Sequence, residues 1–167
     1  MKTISTGRYE SPMGELLLAW VDGKLVSLDY PDFQERFDRL LRRRFPKAQL
    51  VSADLPEGIR AALDQYFAGS TKAVDELPVE MGGSEFENRV WQALRGIEAG
   101  ETATYGQLAA ALDAPKAARA VGRANSMNPV AIVVPCHRVI GANATLTGYA
   151  GGLERKQWLL DHEKRWA

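Results

Sequence analysis

The strongest constraint on the fold is a pair of apolar runs that flank a tight-turn dipeptide. The segment GELLLAWVDGKLVSLDY places Asp22-Gly23 between two stretches rich in leucine and valine. Aspartate and glycine both tolerate the positive φ angles of a two-residue hairpin turn. The segment therefore predicts a β-hairpin in the first half of the chain.

Two helices are predicted after the hairpin. In FQERFDRLLRRRF, apolar residues recur close to every 3.6 positions, at Phe33, Phe37, Leu40, Leu41 and Phe45. The arginines at positions 42–44 are expected to form a solvated helix end rather than a phosphate-binding patch. The segment PEGIRAALDQYFAGS predicts the second helix, with Pro56 in its first turn and Gly69 beyond its end.

A linker is predicted in the middle of the chain. The segment STKAVDELPVEMGG has turn residues at both ends, which suits a short strand followed by a linker. We therefore expect a domain boundary near Gly82-Gly83, which divides the chain into residues 1–83 and 84–167.

The second half has well-marked helix starts. Ser84 with Glu87, and Thr104 with Gln107, have the spacing of capping boxes, in which each residue of a pair bonds to the backbone amide of the other. The second box opens YGQLAAAL, and KAARAVGRANS resumes helical spacing with Pro115 in its first turn. Two short helices joined by a tight turn predict a helix-turn-helix.

The single cysteine follows a predicted strand. NPVAIVVP is a β-branched apolar run between prolines, a pattern typical of a short buried strand that ends at Pro135. Cys136 comes directly after it. The glycine-rich segment GANATLTGYAGG then leads into LERKQWLLDHEKRW, which predicts a closing helix.

Composition excludes several classes of protein. A lone cysteine allows no internal disulfide and no cysteine-rich zinc site, and it suits a reducing compartment. Lys plus Arg and Asp plus Glu both number 21, so a polyanionic partner must be met by a local patch. The chain shows neither a signal-peptide stretch nor a run near the ~18 apolar residues of a membrane span. We expect a soluble, cytoplasmic protein with no membrane partner.

Cys136 and His137 together suggest nucleophilic chemistry. A thiol is mostly protonated at neutral pH, and it becomes a good nucleophile when a base or a positive charge favours the thiolate. The adjacent histidine is a candidate base. On residue type alone, the alternative is a buried cysteine that acts as a small hydrophobic side chain.

Glu163 is a candidate partner for His137. It shares a helix face with Leu159 and Leu160, and it lies near a helix C-terminus, where negative charge is disfavoured. A carboxylate placed against both preferences often has a specific partner, although an exposed glutamate on the last turn remains the alternative. The other histidine, His162, is a cation near a helix C-terminus and needs no functional role.

The second helix of the predicted helix-turn-helix is rich in small residues. Arg119 and Arg123 project among alanines and Gly122. Small residues allow close approach to another surface, which is either a neighbouring helix or the sugar-phosphate walls of a DNA groove.

These motifs together resemble the O6-alkylguanine-DNA alkyltransferases, also called methylated-DNA-protein-cysteine methyltransferases, and within them the bacterial branch. RAVGRAN, NP, IVVPCHRVIG, LTGYAGG and LLDHE occur in family order and spacing, while SPMGELLLA and YFAG match more loosely. The resemblance implies an α/β (α+β) fold. Its first domain would be a ribonuclease-H-like antiparallel sheet with helices, and its second would be mainly helical, with a helix-turn-helix and a short sheet.

The resemblance also implies roles at the reacting centre. Cys136 would accept an alkyl group irreversibly from guanine O6, and His137 would deprotonate it through a water. Glu163 would orient the histidine, and Asn128 would brace the turn that holds the thiol. The substrate-binding residues would be Tyr105, Val139, Tyr149, Ala150 and Lys156, with Lys156 near the pocket rim.

The implied partner is double-stranded DNA that carries alkylated bases, bound through the minor groove. The base would be flipped out, and Arg119 would fill its place in the stack. The residues expected to face DNA with Arg119 are Ala118, Ala120, Gly122, Arg123 and Asn125. No cofactor, no metal and no obligate protein partner are expected, and the protein would act as a monomer. O4-alkylthymine stays open as a second substrate.

Two rival functions remain at this stage. One is a sequence-specific helix-turn-helix protein with an incidental cysteine, although such proteins usually place polar base-reading side chains on the recognition helix. The other is a thiol hydrolase that turns over repeatedly.

The sequence departs from the family at one position. Ala144 stands where family members commonly have glycine. If this position needs a left-handed backbone, we expect strain on the order of 1 kcal/mol in the loop.

Overall fold

The computed structural model describes residues 2–144, 146 and 148–167, and it begins with a four-stranded sheet. The strands are β1 (Thr3–Ser11), β2 (Gly14–Val21), β3 (Lys24–Asp29) and β4 (Gln49–Ser52), in the order β3-β2-β1-β4. The predicted hairpin joins β2 to β3, and Asp22 and Gly23 have φ angles of 51° and 76°. These angles match the turn that best fits the strand twist.

The fourth strand makes the sheet mixed. Strand β1 pairs antiparallel with β2 but parallel with β4, so the expected antiparallel sheet has one parallel edge. The chain reaches β4 through a 3-10 turn at Pro31–Phe33 and helix α1 (Gln34–Arg44). Strands β3 and β4 lie at opposite edges of the sheet and run in the same direction, and a helix is the usual connection between parallel strands.

Two apolar clusters hold the first half together. On one face of the sheet, Phe37 and Leu41 of α1 pack against alternate strand residues, namely Ile4, Leu17, Ala19, Val21 and Val26. The opposite face, with Leu16 and Leu18, belongs to a larger cluster that extends into the second half. The arginine run is only partly solvated, because Arg44 donates to the Val26 and Glu80 carbonyls.

The second half is mainly helical. Helix α2 (Glu57–Ala68) precedes it in the chain. The helices of the second half are α3 (Glu85–Arg95), α4 (Tyr105–Ala111), α5 (Ala118–Ser126) and α6 (Leu153–Arg165). Two short strands, β5 (Ala103–Thr104) and β6 (Val139–Ile140), pair in parallel. Both capping boxes are present at the starts of α3 and α4. Helices α4 and α5 form the predicted helix-turn-helix. None of the described helices is long and apolar enough to cross a membrane.

The edge of β3 that does not pair with β2 is covered by two later segments of the chain. Leu25 pairs with Val79 and Leu28 with Val130, each through an isolated parallel bridge. Residues 131–134 then form turns, so the expected strand from Asn128 to Pro135 is wrong. Its apolar side chains are buried because the turns lie inside the protein, and a β-branched run cannot distinguish a buried turn from a buried strand.

Candidate active site around Cys136

Two tight turns directly precede Cys136 and position it. The amide of Val133 donates to the Ala131 carbonyl at 2.8 Å across Ile132, whose φ is 71°, and the amide of Cys136 donates to the Val134 carbonyl at 2.8 Å across Pro135. These are a classic γ-turn, the rarer and strained form, and an inverse γ-turn. Cys136 then starts the 3-10 helix Cys136–Arg138.

Asn128 forms hydrogen bonds at both ends of these turns. Its Nδ2 donates to the Val134 carbonyl at 2.8 Å, and its Oδ1 accepts from the Val130 amide at 3.0 Å. One amide side chain thus fixes both ends of the turn segment. Strained backbone near a reactive group persists only when its surroundings hold it in place, and Asn128 supplies part of that support.

The Cys136 thiol is protonated at rest. Burial raises its pKa to about 11, and a hydrogen bond with Asn128 and the positive charge of Lys156 offset that rise only in part. A thiol in this state is a poor nucleophile and needs a base to remove its proton.

His137 is next to the thiol and can accept a proton. Its Nε2 lies 2.7 Å from Glu163 Oε2, and both side chains are completely buried. Because an ionised carboxylate only accepts, Nε2 carries the hydrogen and Nδ1 keeps its lone pair. No group among the described residues bonds to Nδ1. The carboxylate therefore fixes the tautomer that leaves a basic nitrogen available.

Glu163 is held by more groups than the sequence indicated. Arg138 donates to it twice, from Nε to Oε1 at 2.8 Å and from Nη2 to Oε2 at 2.9 Å. The Tyr66 hydroxyl, from α2, donates to Oε2 at 2.7 Å. The carboxylate thus joins three buried side chains from both halves of the chain.

The pKa values in this network follow from burial and charge. Burial alone would raise the pKa of Glu163, but the interactions with His137 and Arg138 outweigh it and hold that pKa well below its usual range. Burial lowers the pKa of His137, against the raising effect of Glu163. Since Arg138 already balances the carboxylate, His137 is neutral at rest and can accept a proton.

Lys156 is not at a pocket rim. It is completely buried on α6, and its Nζ donates to the Val139 carbonyl at 2.5 Å. Burial lowers the pKa of Lys156, and negative charge on Cys136 would raise it. The positive charge of Lys156 in turn lowers the pKa of Cys136 and so favours the thiolate.

A small cavity adjoins the thiol. It has a volume of about 20 Å³, enough for about one water. Its walls come from both halves of the chain and include Tyr30, Arg36, Asn125, Asn128, Cys136, Tyr149 and Ala150. The hydroxyls of Tyr30 and Tyr149 are 2.8 Å apart, and the Ala150 carbonyl accepts from Arg36 Nη1 at 2.9 Å. A purine base enters only if this wall moves.

The helix-turn-helix presents a cationic face. Arg119 and Arg123 on α5 are exposed, and the flanking Ala118, Ala120 and Gly122 are partly buried. A side chain at Gly122 would meet the ring of Tyr105, which begins α4. Tyr105 is not among the residues that line the cavity at Cys136. These residues form a surface with small side chains between two arginines.

Asn125 is not on that face. It is only 4% exposed, and its Nδ2 donates to the Cys136 carbonyl at 3.3 Å. The expectation that Asn125 faces DNA together with Arg119 does not fit this position, because the side chain is directed into the protein.

The loop after β6 has a left-handed residue at Asn143. Its φ is 64°, a conformation that asparagine adopts more readily than most residues. The strain that we expected at Ala144 therefore falls on its neighbour, and the side chain of Ala144 lies outside the described part of the structure.

Comparisons with known proteins identify the family. A model described as "6-O-methylguanine DNA methyltransferase, DNA binding domain" matches residues 85–165, and one described as "6-O-methylguanine DNA methyltransferase, ribonuclease-like domain" matches residues 4–81. The methylated-DNA-protein-cysteine methyltransferase of Salmonella typhimurium is 48% identical over 162 residues, with 93% of each chain covered. This chain belongs to the methylated-DNA-protein-cysteine methyltransferase family. The corresponding protein of Mycolicibacterium paratuberculosis is 45% identical, with 93% of this chain and 90% of that relative covered.

Solved structures of relatives match the whole fold of this methyltransferase. The crystal structure of Mycobacterium tuberculosis O6-methylguanine methyltransferase superposes with a TM-score of 0.79 at 37% identity, covering 98% of this chain and 94% of the other. A crystal structure of the protein from that organism in complex with DNA superposes with a TM-score of 0.79 at 39% identity and the same coverage.

Four residues of this methyltransferase site were missed from the sequence: Tyr30, Arg36, Tyr66 and Arg138. Tyr30 and Tyr66 lie in the first half and look like ordinary core aromatics. Arg138 follows the cysteine-histidine pair directly, and an arginine within an otherwise apolar stretch was a usable signal for a buried ion pair. Within the described residues, no group of three or more His, Cys, Asp or Glu side chains could hold a metal ion.

Proposed function

We propose that this protein repairs DNA by a single, irreversible transfer of an alkyl group from guanine O6 to Cys136. The observation that carries the proposal is a buried thiol next to His137, whose Nε2 is bonded to Glu163 and whose Nδ1 has no hydrogen-bond partner among the described residues. Membership of the methyltransferase family supports the same assignment.

The proposed reaction is a displacement at the alkyl carbon. The Cys136 proton passes through a water to His137 Nδ1, and the thiolate attacks the alkyl carbon. A C–S bond forms as the C–O6 bond breaks, and the electron pair of that bond leaves with guanine. The guanine anion then takes up a proton and His137 gives up the one that it accepted, so the net result is that the thiol proton moves to the base. The products are a thioether and an unmodified base.

The network around His137 lowers the barrier for this proton transfer. Glu163 stabilises the positive histidine that forms, and Lys156 stabilises the negative sulfur. Both charges are in place before the reaction, so little reorganisation is needed. Asn128 holds the turn that positions the sulfur.

Substrate contacts are proposed for four residues around the flipped base, and a supporting role is proposed for a fifth. Tyr149 would line the pocket, the Val139 carbonyl would accept from the guanine amine, and the Ala150 amide would donate to O6. Tyr105 would crowd the adjacent phosphate and donate to the base. Lys156, bonded to the Val139 carbonyl, would hold that acceptor in place rather than contact substrate at the rim.

DNA is proposed to bind through α4 and α5 in the minor groove. A base inside a duplex cannot reach a buried sulfur, so it must be flipped out of the stack. Arg119 is exposed and would fill the vacated position, while Arg123 meets phosphates. Ala118, Ala120 and Gly122 allow the close approach. The DNA complex of the Mycobacterium tuberculosis relative supports a DNA-bound state.

We also propose two domains that meet at Gly82-Gly83, residues 1–83 and 84–167, in a monomer without an obligate protein partner. Both glycines have positive φ angles, which supports a turn between the domains. A reducing, cytoplasmic location is proposed because the reaction needs a free thiol.

Intact-mass spectrometry tests the function. After incubation with an oligonucleotide that carries O6-methylguanine, the peptide that contains Cys136 should carry one methyl group in place of the thiol hydrogen, a net mass gain of one CH2. Cys136→Ala should bind the same DNA and gain nothing. Methyl transfer by that variant would rule out Cys136 as the acceptor, and repeated turnover by the wild type would favour the thiol hydrolase instead.

A further inference from the structure

Tyr66 belongs to the first half of the chain but bonds to the reacting centre in the second. It lies on α2, within residues 4–81 that match the ribonuclease-like domain, whereas His137 and Glu163 lie within residues 85–165 that match the DNA-binding domain. Its side chain is completely buried, and its hydroxyl lies 2.7 Å from Glu163 Oε2. Because an ionised carboxylate only accepts, the hydroxyl is the donor.

Three donors converge on this one oxygen. Glu163 Oε2 accepts from the Tyr66 hydroxyl, from His137 Nε2 at 2.7 Å and from Arg138 Nη2 at 2.9 Å. A carboxylate oxygen offers about two lone-pair positions, so the three donors share its negative charge. The bond from Tyr66 therefore weakens the attraction between Oε2 and a positive His137.

The charge balance at His137 is set by groups from three elements. They are Cys136 and Arg138 on its own 3-10 helix, Glu163 and Lys156 on α6, and Tyr66 on α2; beyond them, Asp75 interacts with Arg138, and Tyr30 with Tyr66. Burial has the largest effect and lowers the pKa of His137, Glu163 raises it, and Arg138 and Lys156 lower it. A group that draws charge from Glu163 thus favours the neutral histidine.

Tyr66 donates at every pH at which histidine titrates. Burial, and after it the negative charge of Glu163, raises the pKa of Tyr66 well above its ordinary value. The phenol therefore keeps its proton, and its effect on Oε2 is constant with pH. A change in pH dependence on replacement of Tyr66 then reports the histidine rather than the tyrosine itself.

We propose that Tyr66 is a positioning residue of the reaction, which acts through Glu163 Oε2 to keep His137 neutral and able to accept the thiol proton. The first domain then contributes to the chemistry as well as to the fold. This inference rests on the proposed transfer to Cys136. The competing role is structural, since the Tyr66 ring packs against Phe67 and His162 at centroid distances of 5.0 and 5.2 Å.

The test is the pH dependence of the transfer rate in Tyr66→Phe, which keeps the ring and removes the hydroxyl. Single-turnover rates are measured with saturating protein on duplex DNA that carries O6-methylguanine, between about pH 5 and 9. Saturation removes the influence of DNA affinity. The rate should fall at low pH as His137 becomes protonated, and the midpoint of this fall should lie about 0.5–1 pH unit higher in Tyr66→Phe than in the wild type.

Tyr9→Phe is the matched control. Tyr9 is also a buried tyrosine of the first half that donates to a carboxylate, Asp64, at 2.6 Å, but this pair is not bonded to His137. Its midpoint should equal that of the wild type. A purely structural Tyr66 predicts a lower melting temperature with an unchanged midpoint, and that result would overturn the inference.

A second variant covers the case in which Tyr66→Phe does not fold. Tyr66→3-fluorotyrosine keeps the hydroxyl and makes it a stronger donor, so the midpoint should move in the opposite direction, to lower pH. An unchanged or higher midpoint in this variant would equally contradict the role of Tyr66. Absence of any methyl on wild-type Cys136 would instead remove the proposed function.

Discussion

Replacing Glu163 with glutamine should destabilise the protein severely. The carboxylate accepts four hydrogen bonds, from Tyr66, from His137 and twice from Arg138. Glutamine has one oxygen and an amide nitrogen that only donates, so at least one Arg138 donor meets another donor. The substitution also leaves the guanidinium of Arg138 buried without a counter-charge, because that side chain is 2% exposed.

The magnitude follows from the loss of one partner of a buried ion pair, which costs about 3–5 kcal/mol. A protein of this size gains or loses about 2–4 °C of melting temperature per kcal/mol, so Glu163→Gln should melt roughly 6–20 °C lower. Urea unfolding at neutral pH would measure the free energy directly. The control is Asp161→Asn, an exposed carboxylate on the same helix that bonds to Gln157, which should stay within about 0.5 kcal/mol of the wild type.

A double substitution separates charge pairing from simple loss of packing. Arg138→Met removes the buried cation, and the double variant Glu163→Gln/Arg138→Met should be more stable than the sum of the two single losses predicts. If the two losses of stability are strictly additive, or if Glu163→Gln is as stable as the wild type, then Glu163 does not stabilise the protein by balancing the buried charge of Arg138. The rate of alkyl transfer should fall far more than DNA affinity in Glu163→Gln, since an amide cannot stabilise a positive histidine.

Three further predictions test the site and the DNA face. Arg119→Ala should slow repair of duplex DNA by about tenfold or more but leave the reaction with free O6-benzylguanine nearly intact, because only a duplex has a vacated stacking position. Equal losses of rate on the two substrates would mean that Arg119 supports the fold or the pocket instead. Tyr105→Phe should slow both reactions, more weakly on the free base. The free energy of unfolding should fall as the pH drops below about 6.5. Burial lowers the pKa of His137, so the unfolded chain binds a proton at a higher pH than the folded chain does. Urea titrations at pH 7.5 and 5.5 measure this loss, which His137→Gln should reduce; an unchanged loss would assign the pH dependence to other groups.

Local signals in the sequence predicted most of the helices. A capping box acts within one turn, so Ser84 and Thr104 mark the starts of α3 and α4 without any knowledge of the tertiary structure. Helix α5 begins at Ala118, later than the proline at position 115 suggested, because residues 115–117 complete the turn between the helices. Boundaries next to turns are the least certain part of any such prediction.

Buried partners were harder to predict because they are distant in sequence. Tyr66 meets Glu163 across 97 positions, and nothing in its own surroundings distinguishes it from a core aromatic. Lys156 was within reach of the pattern, since it lies three residues before Leu159 and seven before Glu163 and therefore shares their buried helix face. The turn at Ile132 could not be found, because a β-branched residue at positive φ contradicts the local preference and is held only by its tertiary contacts.

The reacted protein should be a dead end that is less stable than the starting state. A thioether has no acidic proton and no easy leaving group, and the chain has no second cysteine to remove the alkyl group. Mixing with excess substrate should give one burst equal to the amount of active protein and no steady-state phase.

The cavity at Cys136 has room for about one water, so a methyl group nearly fits and a benzyl group presses against the Tyr30–Tyr149 pair. Overpacking costs about 1–3 kcal/mol, and benzylated protein should therefore melt lower than methylated protein, by several degrees. Differential scanning calorimetry of the two products and of unreacted protein makes the comparison. Equal melting temperatures for all three would contradict the packing argument alone, whereas a continuing steady-state phase would contradict the stoichiometric mechanism.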